Sequence, residues 1–235
     1  MIVSHAYRFI YIRCRKTAST SIELALSRIC GDNDILSVDR RQAHENLRRQ
    51  LGGRGRQHDR NPDGTMRFYD HMPAAEVRLL VGEQVWGSYY KWCVERNPWD
   101  KVVSHYCGRH RDPATRPPLR TFLESGSAHR AVNFRLYTIG GQVAVDHIAH
   151  YEQLGTELGQ IASRLGLPPG TMDLPRVNVG VRPDHRHYSE VYTPEERDFV
   201  AELFADEIGL HGYRYEQLDG TSQSPGGIAK SGSFS

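Results

Sequence analysis

Near its start the chain carries a compact apolar run, Arg8–Arg13 (RFIYIR), in which β-branched and aromatic side chains stand together between arginines. A run this short predicts a buried strand. The small-residue turn CRKTAST follows. Ser21–Ile29 then sets Ile22, Leu24, Ala25, Leu26 and Ile29 along one face, with Gly31 just beyond, the pattern of a helix and its stop. The opening unit is therefore strand, loop, helix. Further along, Pro73–Val81 has Ala74, Val77, Leu80 and Val81 at helical spacing, and Ser88–Glu95 (SYYKWCVE) reads as a second strand. Pro98 opens the next helix, where its missing N–H costs nothing. Val145–Glu152 reads as a third strand and LGTELGQIASRLGL as a helix ending before Pro168. Thr193–Leu210 predicts one amphipathic helix, with Thr193 and Glu196 forming a capping box.

Strands alternating with helices imply an α/β fold: a single three-layer domain with a central parallel sheet, spanning residues 1–218. Residues 39–65, with GGRGR and NPDG, form a polar insertion, read as a helix around 40–50 and then an exposed loop. Residues 219–235 are a Gly/Ser-rich tail, expected to be flexible.

Charge narrows the function. The 235 residues carry 30 basic against 28 acidic groups, a net charge of +2, which excludes a strongly cationic nucleic-acid coat. Lysine occurs only at positions 16, 91, 101 and 230, so each lysine is a candidate for a site that needs a compact point charge. A genome-wide bias toward arginine accounts for the same count. Cys14, Cys30, Cys93 and Cys107 have no CxxC spacing, and no apolar stretch reaches membrane-spanning length. The expectation is a cytoplasmic protein with free thiols, no membrane span, no nucleic-acid partner and no metal.

Three places could carry chemistry. The loop before the first helix offers backbone N–H groups, Lys16, and the hydroxyls of Thr17, Ser19, Thr20 and Ser21. That is an anion site in outline, although a plain N-capped helix fits the spacing equally. The flanking glycines of a Walker loop are missing. Arg96 ends the second strand, and Ser104 lies eight residues on. Strand ends in parallel sheets face the ligand crevice, but a structural arginine paired with Glu95 or Asp100 fits as well. His71, in MRFYDHMPAAE, has the side chain suited to taking a proton near neutral pH.

Together, YIRCRKTASTSIELAL and VERNPWDKVVSHY resemble the two motifs of the sulfotransferase family, approximately PKTGGTS or PKTASTS at a strand end and RNPxxRLVSxY. This family transfers a sulfonyl group from 3′-phosphoadenosine 5′-phosphosulfate (PAPS). KTASTS and FYDHMPAAE resemble its carbohydrate branch, which includes the heparan and uronyl 2-O-sulfotransferases, and HYEQL resembles a strand-end YEDL element. The resemblance covers about residues 8–30, 66–112 and 145–215. It implies a P-loop-like strand-loop-helix that binds the phosphosulfate, with PAPS as co-substrate and no metal. Lys16 would assist the leaving phosphate, inside a loop made by Arg15, Thr17, Ala18, Ser19, Thr20 and Ser21. Arg96 and Ser104 would hold the 3′-phosphate, and Arg182 and Arg186 would complete the nucleotide site. His71 would be the general base toward a hydroxyl of a carbohydrate, glycoconjugate or small-molecule acceptor. Arg15 stands where proline is usual, and Lys101 where arginine is commoner. Arg48, Arg49, Arg54, Arg56 and Arg60 of the insertion either receive an acidic acceptor or form a solvated basic loop. Two alternatives remain: a P-loop-type nucleotide kinase, and a nucleotide-binding relative without catalysis.

Overall fold

The computed structural model describes residues 1–37, 41–177 and 186–216. The chain opens with β1 (Ile2–Ser4) and β2 (Phe9–Tyr11), followed by α1 (Ser19–Leu26), β3 (Ile35–Leu36) and α2 (Gln42–Gln50). Helices α3 (Ala74–Val81) and α4 (Glu83–Ser88) lead to β4 (Tyr90–Glu95) and α5 (Pro98–Arg109). Then come α6 (Leu119–Glu124), α7 (Phe134–Tyr137), a small hairpin of β5 (Thr138–Ile139) and β6 (Gln142–Val143), and β7 (His147–His150). Helices α8 (Leu154–Leu165), α9 (Pro194–Leu203) and α10 (Ala205–His211) complete it.

The central sheet has the order β3-β1-β2-β4-β7. β2, β4 and β7 are parallel neighbours, with Phe9 opposite Tyr90 and Trp92 opposite His147. β1 runs antiparallel to both β2 and β3, so four of these five strands point one way. The expectation of a uniformly parallel sheet fails at β1 for a simple reason. The link from Ser4 to Phe9 is a short turn, and a parallel neighbour needs a crossover of a dozen residues or more.

Alternation along the strands sends side chains to two faces. Ile10, Ile12 and Cys93 pack with Ala74, Val77, Trp86 and Leu136 from α3, α4 and α7. Phe9, Tyr11, Trp92 and Val94 pack with Ile22, Leu26, Leu158 and Ile161 from α1 and α8. Helices therefore cover both faces, which gives three layers. A separate cluster joins α5 and α6 to α9 through Val102, Val103, Phe122 and Val200.

Three elements differ from expectation. Ser88 closes α4 rather than opening the strand, because Gly82, at φ 81°, starts a short helix at Glu83. The helix read over Thr193–Leu210 breaks at Phe204, whose ring is buried against the α5 cluster, and α10 restarts with Glu207 turned inward. The insertion is not merely a solvated loop. α2 buries Glu45 and Arg48, and Arg48 Nη1 reaches Glu45 Oε1 at 2.8 Å while its Nη2 lies 3.5 Å from Glu23 on α1. The four cysteines are buried as free thiols. Among the described residues no helix is long and apolar enough to cross a membrane. The tail over 219–235 lies outside the described residues.

Candidate functional site

The chain leaves β2 through Ile12, whose N–H donates to the Trp92 carbonyl at 2.9 Å, and enters the loop ahead of α1. Lys16 (φ 63°) and Ala18 (φ 58°) both adopt the left-handed conformation, which costs on the order of 1–3 kcal/mol at each non-glycine residue. Left-handed residues of this kind bend successive N–H groups into a concavity that suits an anion. Ala18 occupies the N-cap of α1, so no side chain caps the helix. The N–H groups of its first turn, Ser19 to Ser21, have no acceptor within the helix. The Thr17 hydroxyl donates to the Cys14 carbonyl at 3.2 Å and braces the turn from below.

Arg96 ties this loop to the second motif. Its guanidinium holds Asp100 through Nε at 2.7 Å and Nη2 at 2.5 Å, donates from Nη1 to the Lys16 carbonyl at 3.2 Å, and stacks 4.0 Å from the centre of the Tyr151 ring. The pairing with Asp100 weighed from the sequence is therefore present, and it orients the arginine into the cleft. Asn97 caps α5 by accepting from the Trp99 N–H at 3.1 Å, and Pro98 fills the first turn. Ser104 lies one and a half turns into α5 and faces the same cleft.

His71 comes from the segment before α3, also with positive φ (56°). Its Nδ1 lies 3.0 Å from the Arg13 carbonyl. A carbonyl can only accept, so Nδ1 carries the proton and Nε2 keeps its lone pair. Burial, Arg13 and Arg15 push the imidazole down to about 3, which keeps it neutral. Asp70 Oδ2 stands 3.5 Å from Nε2, placed to favour an imidazolium once a proton arrives. Asp70 is held in turn by Arg13 Nε at 3.0 Å, and Arg13 also pairs with buried Glu23 at 2.5 Å.

These groups line one cleft of about 840 Å³, a size within the range of small-molecule sites. Among the described residues its lining holds seven arginines and Lys16 against one acid, Asp70. Burial, Arg96 and Arg41 push the Lys16 ammonium down to about 8. His105, on α5, is pushed down to about 4 by burial and Lys16. The donor set thus suits a multiply charged anion. Among the described residues no group of three or more His, Cys, Asp or Glu is gathered as if to hold a metal.

The cleft brings together Arg15, Lys16, Thr17, Ala18, Ser19, Thr20, Ser21, His71, Arg96 and Ser104. Arg182 lies outside the described residues, and Arg186 is exposed and does not line the cleft. Nor do the insertion arginines named from the sequence. Arg48 is a buried ion pair, Arg54 is paired with Asp32, and Arg60 donates to the Gly64 carbonyl at 2.6 Å. The insertion reaches the cleft through Arg41 and His44 instead. Sequence reasoning missed Arg13, His105, Arg109 and Arg130. Tyr151 carried a signal, since it stands in the HYEQL string at a strand end.

An uncharacterized protein of Archaeoglobus fulgidus is 35% identical over 119 residues, which is 98% of that protein and 49% of this chain. The chain belongs to that protein's family. The shared family brings no chemistry with it, so function rests on the cleft. No family model matches the chain, and no solved structure matches it.

Proposed function

We propose that the chain is a PAPS-dependent sulfotransferase that sulfates a hydroxyl of a carbohydrate or glycoconjugate. The observation that carries this reading is the meeting of two distant motifs: Arg96 donates to the Lys16 carbonyl across 80 residues of sequence, with Ser104 and His71 on the same cleft. When bound, PAPS supplies an activated sulfonyl group whose transfer leaves negative charge on the nucleotide phosphate. Lys16 and the first-turn N–H groups of α1 would hold that phosphate, and a well-placed donor of this kind contributes roughly 3–4 kcal/mol to such a step in other enzymes. Arg96 and Ser104 would hold the 3′-phosphate.

His71 would receive the acceptor proton at Nε2, with Asp70 beside it to stabilise the imidazolium. A base held at about 3 is weak. An anion next to Arg15 offsets part of the repulsion that keeps it there, so His71 becomes a stronger base once the cleft is filled. On this reading the loop before α1 would act as a P-loop-like cradle for the phosphosulfate.

The test is calorimetric binding of 3′-phosphoadenosine 5′-phosphate against AMP and ATP, with and without magnesium. The expected result is tight, metal-independent binding that AMP does not show. Preference for magnesium-ATP would replace this reading with a kinase. Nucleotide binding with no transfer over a broad acceptor panel would leave a non-catalytic binder. Lys16→Ala is expected to lower kcat far more than nucleotide affinity, and equal activity would remove Lys16 from the leaving-group role.

A further inference from the structure

Asn133, just before α7, is fully buried and clamps the backbone of Arg15 through both its N–H and its carbonyl. The Arg15 N–H donates to Asn133 Oδ1 at 2.8 Å, and Asn133 Nδ2 donates to the Arg15 carbonyl at 3.1 Å. A side-chain amide thus does for Arg15 what a neighbouring strand would do, at a point where β2 has already ended. The amide has one workable orientation: the Arg15 N–H needs an acceptor, and Nδ2 also faces Glu95 Oε1 at 3.2 Å.

Asn133 is itself held. Its backbone N–H donates to Glu207 Oε1 at 2.5 Å, and the Phe134 N–H donates to the same oxygen at 2.9 Å. Lys101 Nζ joins the two carboxylates, at 2.8 Å from Glu95 and 2.5 Å from Glu207, with all three side chains fully buried. Burying three charges is costly. Here the arrangement ends on the backbone N–H and carbonyl of one residue, Arg15, immediately before Lys16.

We propose that Asn133 is a positioning residue for the anion-binding loop, with Glu95, Lys101 and Glu207 as the rigid mount that fixes it. Its action is through the Arg15 backbone, since Asn133 does not line the cleft. The inference that this affects turnover rests on the sulfotransferase reading; the inference that it sets the loop does not. The left-handed turn at Lys16 is strained, and a clamp one residue earlier supplies the constraint that keeps such a turn from relaxing.

Two variants test this: Asn133→Ala, and Asn133→Asp, which keeps the volume but loses the Nδ2 donor and sets a carboxylate against Glu95. Each is studied well below its own melting temperature, with rates expressed per folded molecule. Three readouts separate the claims. In the wild type, the Arg15 amide is expected to exchange with solvent as slowly as the strand amides, while those of Lys16 and Ala18 exchange fast; fast exchange at Arg15 would overturn the proposal without any variant. In either folded variant, exchange of the Arg15 amide should rise at least tenfold and inorganic pyrophosphate should bind at least tenfold more weakly. Unchanged exchange and pyrophosphate binding, with only a lower melting temperature, would reduce Asn133 to a structural residue. If the variants shift the loop and pyrophosphate binding while the wild type ignores 3′-phosphoadenosine 5′-phosphate, the positioning role stands and the sulfotransferase reading falls. Under that reading kcat falls at least tenfold while the acceptor KM stays within twofold.

Discussion

At the scale of single residues, the titrating group to watch is Lys16. Burial among arginines pushes its ammonium down to about 8, and a bound anion raises it again by supplying opposite charge. Ligand binding above pH 8 should therefore take up a proton, and affinity should fall as pH rises through that value. Calorimetry of the nucleotide in two buffers of different ionisation enthalpy, at pH 8.5, reads this uptake directly. Lys16→Arg should abolish it, since arginine stays charged. No uptake in the wild type would mean that the ammonium does not meet the ligand. His71 is shifted in the same sense but further. Burial, Arg13 and Arg15 keep it neutral down to about pH 3, so His71→Gln should leave nucleotide affinity within about twofold while abolishing turnover, and retained turnover would place the base elsewhere.

At the scale of elements, Arg96 joins two units that the sequence presents separately. It grips Asp100 on α5 and the Lys16 carbonyl in the loop at the same time, which requires a planar fork. Arg96→Lys keeps the charge but cannot span both, and should weaken nucleotide binding by roughly tenfold, the loss of about 1.4 kcal/mol that one charge-assisted bond represents. Binding equal to the wild type would show that charge alone matters. The loop, His71, Arg96 and Ser104 were legible because each sits in a short local string whose chemistry depends on its neighbours. Asn133 was not, because its role is made by a partner 118 residues away. Arg48 misled for a related reason: Glu45 is its neighbour along the helix, but nothing nearby in sequence announces that the pair is buried beside Glu23 of α1. The alternation of strands and helices predicted the three layers correctly, but β3, of two residues, is too short to leave a periodic signal.

At the scale of the whole molecule, three partly or largely buried histidines govern the response to acid. His71 is held at about 3, and His105 and His211 at about 4, in each case mainly by burial. Below about pH 6.5 the unfolded chain protonates these groups and the folded chain does not, so stability is full above that value and is lost as pH falls toward 4. Glu207 works against this trend. Burial and Glu95 push its carboxyl up to about 7, so its contribution favours the fold at low pH and fades as pH rises toward 7. With three groups against one, the urea midpoint should drop between pH 6.5 and 4.5, and His105→Gln with His211→Gln should flatten the slope. A midpoint constant over that range would show that the histidines are solvated in solution.

The reach of the Asn133 clamp has a consequence for how the protein is made. The amide that fixes the loop is synthesised 118 residues after it, and the carboxylate that steadies that amide 74 residues later still. During translation the first strand and helix can form while the loop between them stays unset, because contacts of such long sequence separation close late. A nascent chain ending before α10 would carry every residue of both motifs and still lack a competent cleft.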